Sequence, residues 1–174
     1  KNILPLVGKP LIAWTIEAAK GSKYIDRLLI STDDKEIADV ANKYGCEVPF
    51  LRPADLATDV ANISDTILHA LEMTDDQYNI IILLQPTSPL RKSSDIDSAL
   101  ELILGKEINA VVSVCLSSKP LHWHHTLERN GRLLPVGNPL GKETNRQQFN
   151  KTYLPNGALF LAKTLFFLKK TFGK

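Results

Sequence analysis

Short apolar runs alternating with amphipathic stretches make this 174-residue chain an α/β protein, a sheet of mainly parallel strands with helices on both faces. Three observations carry that expectation. Strand-like and helix-like segments follow one another through most of the chain. The runs NIIILLQ and AVVSVC are nearly continuous in apolar residues, as in strands covered on both sides. The helical stretches are bounded by capping residues and glycines.

In order, Pro10 occupies a first helical position, where its missing N–H costs nothing, and LIAWTIEAAK then sets Leu11, Thr15 and Ala18 beside Ile12, Ile16 and Ala19, ending at Gly21. Arg27-Leu28-Leu29-Ile30-Ser31-Thr32 is a short strand of the buried type. Asp33 with Glu36 gives a D-x-x-E cap for the helix KEIADVANKYG, closed by Gly45. CEVPF, residues 46–50, is the next strand, followed by the polar loop RPADLATDVAN. ISDTILHALEM is helical, and NIIILLQ is a fully buried strand. Ser94-Asp95 opens the helix DIDSALELILG, and AVVSVC follows as a strand. Between Leu116 and Pro155 the pattern breaks into His, Asn, Gly, Pro and charge, which marks 116–155 as an inserted arm on a single domain, 1–174. GALFLAK is the last strand and KTLFFLKK the last helix.

A chain of this length buries about two thirds of the surface its unfolded form exposes. Its 44% hydrophobic and 23% charged residues match an ordinary globular composition. The net charge of +2, with Lys and Arg scattered, argues against a nucleic-acid partner. Apolar runs such as ALFLA fall far short of the roughly 18 residues that span a bilayer, so no membrane partner is expected. Two cysteines, Cys46 and Cys115, do not make a disulfide framework and suit a reducing compartment. The opening KNILPLVG lacks a signal-cleavage pattern. Together these predict a cytoplasmic location.

In an open parallel sheet, ligands collect at the carboxyl ends of the strands. STDD (31–34) and QPTSPLR (85–91) lie there, as does the stretch after VVSVC. Asp33 serves equally as a helix cap. QPTSPLR is either a rigid turn with Arg91 solvated or a reading set, since Gln85 and the hydroxyls of Thr87 and Ser88 pair with a polyhydroxylated, amide-bearing ligand. Arg52, in LRPADLATD, offers a planar fork suited to a phosphate or a base carbonyl, while Thr58 and Asp59 stand as candidate N-caps of the next helix. Arg146 and Gln148, with Tyr153 and Asn156, form a third polar set before the last strand. His122, His124 and His125 around Trp123 lack zinc-site spacing and an orienting carboxylate. GxSxG, HExxH and a complete GxxxxGK[ST] loop do not occur.

KNILPLVGKPLIAWTIEAA, LLISTDDKEIADVANKYGCEVPFLRPADLATD, LLQPTSPLR, RQQ and PNGALF together closely resemble the acylneuraminate cytidylyltransferases, or CMP-sialic acid synthetases. The resemblance covers almost the whole chain. It implies a Rossmann-like sheet of the nucleotide-diphospho-sugar transferase type, with 116–155 as a dimerisation arm and the protein a homodimer. It also implies the reaction: CTP and a nine-carbon acidic sugar give the CMP-sugar and pyrophosphate, with Mg²⁺. By the same resemblance Lys1, Asn2, Arg52 and the backbone at Ala61 contact the nucleotide, and Gln85, Thr87, Ser88, Arg146, Gln148, Tyr153 and Asn156 contact the sugar.

The family's phosphate loop and its metal-holding aspartates correspond to positions before Lys1 and after Lys174. No catalytic or metal residue is therefore assigned within these residues, and the 174 residues alone are expected to be inactive. Kdo, pseudaminic or legionaminic acid is the alternative sugar, and a non-catalytic sugar-nucleotide scaffold is the alternative role.

Overall fold

Helix α1 starts at a proline that has no side-chain group to cap it, so backbone carbonyls take over that task. Leu11 N–H donates to Leu4 O and Ile12 N–H to Asn2 O, each at 2.9 Å. The structure, a computed structural model, describes residues 1–74, 77–119, 123–136 and 151–172. Its elements are β1 (Pro5–Leu6), β2 (Lys9–Pro10), α1 (Leu11–Lys20), α2 (Lys35–Lys43), a 3₁₀ turn (Ala54–Ala57), α3 (Ile63–Thr74), β3 (Ile80–Leu83), α4 (Ser93–Gly105), β4 (Ala110–Leu116), β5 (His125–Leu127), β6 (Leu133–Pro135), β7 (Tyr153–Lys163) and α5 (Thr164–Phe172). The chain divides into two compact units, Lys1–Val112 with Gly157–Lys174, and Ser113–Asn156.

In the first unit, β1 and β2 form a tight hairpin through Val7 and Gly8, whose φ of 49° and 84° match the positive values that two-residue hairpin turns demand. Trp14 of α1 secures it, donating Nε1–H to Leu6 O at 3.0 Å, with Lys9 over its ring and paired to Glu17. Strands of two residues leave no periodic trace in a sequence, and nothing in the apolar pattern predicts this hairpin.

The core lies on both sides of α1. Ile12 and Ile16 pack with Ala41 of α2 and with Cys46. Ala19 packs with Ile96, Ala99, Leu100 and Ile103 of α4 and with Leu159 and Leu161 of β7. Leu159 and Leu161 alternate with less buried neighbours, the period-two signature of a strand with one face inward.

Several expectations need correction. The strand order in the sheet is β3-β7-β4, and β3 runs antiparallel to β7, from Ile80 opposite Lys163 to Leu83 opposite Phe160. A crossover helix forces a parallel return, but β7 begins at Tyr153, a long stretch after β4 ends at Leu116, which leaves its direction free. β3 is half-buried along its length rather than fully buried, because it lies at an edge among the described strands. LLIST and CEVPF do not form extended strands; they meet at one parallel bridge, Leu29 with Glu47, with Ile30 N–H to Glu47 O at 2.9 Å.

Two caps also differ. Asp34, not Asp33, caps α2, its carboxylate accepting from Glu36 N–H (2.8 Å) and Ile37 N–H (3.2 Å). At α3 the cap is Asn62 rather than Thr58 or Asp59, with Oδ1 accepting from Ser64 N–H at 3.0 Å. Adjacent acids or amides satisfy the same pattern, and only the backbone turn selects between them.

In the second unit, β5 and β6 form an antiparallel hairpin closed through Gly131 at φ 84°. Glu128 N–H donates to Arg132 O at 2.9 Å across the turn, and Ser113 Oγ donates to Asn156 Oδ1 at 2.6 Å.

Asp34→Ala is expected to lower stability by about 0.5–2 kcal/mol in urea unfolding, and Asp33→Ala, half-exposed, by less than about 1 kcal/mol; the reverse order would contradict the cap assignment. Burial first, then the Glu47 carboxylate, pushes the Cys46 thiol up to about 11, so it stays protonated at pH 8, while Cys115 is exposed. Iodoacetamide at pH 8 is expected to label Cys115 quickly and Cys46 only on unfolding. Equal labelling rates by mass spectrometry would refute that.

Candidate functional site

Two polar regions of the first unit hold Arg52 and the Gln85, Thr87 and Ser88 set. The first follows β3, where Leu83-Leu84 give way to Gln85-Pro86-Thr87-Ser88-Pro89-Leu90-Arg91. Ser88 N–H donates to Gln85 O and Arg91 N–H to Ser88 O, each at 3.3 Å, so the segment closes as two successive turns. Gln85 and Thr87 are exposed, and Ser88 is half-buried.

Arg91 is not solvated. Only 7% of it is exposed, and its guanidinium reaches inward. Nη2 donates to Thr15 Oγ1 of α1 at 2.8 Å and to Gln85 O at 3.4 Å; Nη1 donates to Gln85 O at 3.3 Å and to Ala158 O of β7. One side chain thus fastens the loop to a helix and to a strand. Its Nε is buried without a partner among the described residues. Burial pulls the guanidinium below the ordinary arginine range, and the Asp95 carboxylate opposes that pull.

Beside Arg91's anchor on β7, Gly157 has φ 73°, a left-handed value that favours glycine. A Cβ on Gly157 would stand 2.9 Å from Gln85 Oε1. The Gln85 carboxamide therefore lies against the bare Cα of Gly157. PNGALF is among the stretches that carry the family resemblance, but it gives no sign that its glycine faces Gln85.

The second loop joins STDD to LRPADLA. Arg52 N–H donates to Thr32 O at 2.8 Å, and the Arg52 Nη2 to Asp33 Oδ1 distance is 3.5 Å. Thr32, almost fully buried, accepts on Oγ1 from Asp34 N–H at 3.2 Å. With Asp34 capping α2, Asp33 is left for Arg52. His69 of α3 meets Phe50 edge-on at 4.9 Å. Ser31 Oγ, Arg52 Nε and His69 Nδ1 are buried without hydrogen-bond partners among the described residues. Buried polar atoms of that kind call for an explanation, and a ligand that supplies partners is one. His69 carries no motif, which is why sequence reasoning missed it.

The other candidates are dispersed. Lys1 is exposed and Asn2 half-buried, and Asn2 serves α1 through its carbonyl. The Ala61 N–H donates to Thr58 O at 3.1 Å, which commits the backbone group expected to face the nucleotide. Tyr153, 56% exposed, and Asn156 belong to the second unit. Arg146, Gln148 and His122 lie outside the described residues. Among the described residues, no three His, Cys, Asp or Glu side chains are grouped to hold a metal ion, and no helix is long and apolar enough to cross a membrane.

A family model described as cytidylyltransferase matches residues 1–133, which include both loops. The chain is 38% identical over 167 residues to the CMP-N,N'-diacetyllegionaminic acid synthase of Legionella pneumophila, covering 93% of this chain and 70% of that protein. It is 39% identical over 177 residues to the N-acylneuraminate cytidylyltransferase of Escherichia coli, spanning 41% of that protein's length. The pseudaminic acid cytidylyltransferase of Campylobacter jejuni is 29% identical over 175 residues, with 75% of that protein covered. Among solved structures, a CMP:2-keto-3-deoxy-manno-octonic acid synthetase complexed with CTP superposes with a TM-score of 0.69 at 16% identity, covering 98% of this chain and 70% of that one. The 4-diphosphocytidyl-2C-methyl-D-erythritol synthase of Anaerococcus prevotii gives 0.66 at 14% identity, covering 98% and 68%. At such identities the likeness is one of fold.

Arg91→Lys is expected to lower stability by about 1.5–3 kcal/mol, because an ammonium cannot reach acceptors on three segments with one planar fork. Urea unfolding checks this, and an unchanged midpoint would show that Arg91 is not the anchor.

Proposed function

Since the chain belongs to the acylneuraminate cytidylyltransferase family, we propose that it transfers CMP from CTP to a sialic-type nonulosonic acid, giving the CMP-sugar and pyrophosphate. The observation that carries this is the family match over residues 1–133, which takes in the Arg52 and Gln85 loops. In the proposed reaction the anomeric hydroxyl oxygen of the sugar forms a bond to the α-phosphorus. The bond from that phosphorus to the bridging oxygen breaks, pyrophosphate leaves and the hydroxyl proton is released. Such a reaction draws its rate mainly from positioning and from neutralising phosphate charge.

The described residues suit the positioning part. Arg52, a permanent cation whose Nε lacks a partner, is suited to the nucleotide, and Ser31 and His69 offer further unpaired groups in the segments that flank it. Lys1 and Asn2 are further nucleotide contacts in this reading, and Ala61 contributes through its carbonyl rather than its committed N–H. Gln85, Thr87 and Ser88 form a donor and acceptor row for an acidic, amide-bearing sugar. By the family resemblance, Tyr153, Asn156, Arg146 and Gln148 are further proposed sugar contacts. Mg²⁺ is part of the proposed reaction, and among the described residues no three His, Cys, Asp or Glu side chains are grouped to hold it. The protein is proposed to act in the cytoplasm as a homodimer, with 116–155 as the dimerisation arm.

Full-length protein given CTP and, in turn, N-acetylneuraminic, N,N'-diacetyllegionaminic and pseudaminic acid is expected to release pyrophosphate with at least one of them. Gln85→Ala is expected to raise the sugar KM or lower kcat by roughly three- to ten-fold, as for one lost neutral hydrogen bond, with the CTP KM unchanged. Release with none of the acids would overturn the reading, and equal weakening toward both substrates would give Gln85 a structural role.

A further inference from the structure

Gln85 is exposed, and an exposed glutamine ordinarily samples many rotamers; holding it in one costs free energy at binding. Here its backbone is fastened, and its carboxamide lies in the space that a side chain at 157 would fill. Its backbone carbonyl accepts from both terminal nitrogens of Arg91, at 3.3 and 3.4 Å. Its carboxamide rests on Gly157, where a Cβ would come within 2.9 Å of Oε1. Arg91 also bonds Ala158 O, the residue after Gly157, so one guanidinium holds the Gln85 backbone and the strand bearing Gly157 in fixed relation. The 2.9 Å approach is closer than real Cβ contacts allow. Any side chain at 157 must push the amide away.

We propose that Gly157 and Arg91 are positioning residues for the Gln85 carboxamide: Gly157 is the floor on which the amide lies, and Arg91 sets the height of that floor. The inference rests on the reading of Gln85 as a sugar contact. It adds that selectivity for the acidic sugar depends on the absence of a side chain at 157. The amide keeps its place only while position 157 is bare, so its displacement weakens recognition of the sugar and leaves the nucleotide untouched.

The test combines a ligand-free measurement with kinetics on the full-length protein. In ¹⁵N-labelled protein the Gln85 side-chain NH₂ signal, assigned by its loss in Gln85→Ser, is expected to shift in Gly157→Ala and in Gly157→Asn. Asparagine tolerates positive φ and serves as the variant with less backbone strain. With CTP and whichever of the three acids wild type uses, both variants are expected to raise the sugar KM roughly three- to ten-fold and leave the CTP KM unchanged. In the Gln85→Ser background the same substitutions are expected to add nothing to the sugar KM, since no amide remains to displace.

An unmoved NH₂ signal would overturn the proposal. So would an equal rise in sugar KM with and without Gln85, which would mark Gly157 as a site of backbone strain alone. If wild type turns over none of the acids, the reading of the reaction falls, and the NH₂ signal still decides whether Gly157 places the amide.

Discussion

A buried guanidinium holds the strand-end loop in shape. Taking a cation out of water costs several kcal/mol, and Arg91 meets that cost with neutral partners: Thr15 Oγ1 on α1, Gln85 O in its own loop and Ala158 O on β7. Hydrogen bonds from a charged donor contribute about 1.5–3 kcal/mol each. Three acceptors on three separate segments fit one planar fork, and no other side chain offers that geometry. The loop between Gln85 and Arg91 is therefore closed from beneath, and its other polar side chains, Gln85, Thr87 and Ser88, remain free of structural duty. Pro86 and Pro89 stiffen the same turn.

The second loop follows another logic. Thr32 and Arg52 are joined through the backbone at 2.8 Å, and Asp33 faces the Arg52 guanidinium. Among the described residues, five buried side-chain atoms lack hydrogen-bond partners: three are on Ser31, Arg52 and His69, and the other two are Arg91 Nε and Thr164 Oγ1. Buried polar atoms without partners fit a ligand-binding segment, since a ligand supplies what the protein does not. One loop is thus fastened by a buried cation, and the other leaves Ser31 Oγ, Arg52 Nε and His69 Nδ1 without partners among the described residues.

Much of this was legible in the residues. Helices α1 to α4 follow from apolar spacing, and the run IIIL gave β3, because periodicity reports burial directly. What was illegible depended on contacts far apart in sequence. A solvated Arg91 stays open as one of two readings of its loop because a sequence cannot show that a hydroxyl on α1 and a carbonyl on β7 converge on it. The Asp33 and Asp34 caps differ only by the backbone turn between neighbouring acids. LLIST and CEVPF have strand composition but meet at a single bridge, since a ladder needs a partner as well as a pattern. Gly157 was visible within a motif, yet its contact with Gln85 arises only when β7 lies beside β3. On the functional side, the motifs LQPTSPLR and LRPADLA named the family, and the family match covers both. The pairing of Arg52 with Asp33 and the approach of Gln85 to Gly157 came from the structure.

The anchoring of the loop shows most directly in the state of the Arg91 guanidinium. In ¹⁵N-labelled protein its Nη protons should appear as separate, slowly exchanging signals, as expected for a fork fixed on Thr15, Gln85 and Ala158. A single averaged signal exchanging as fast as that of a solvated arginine would contradict it.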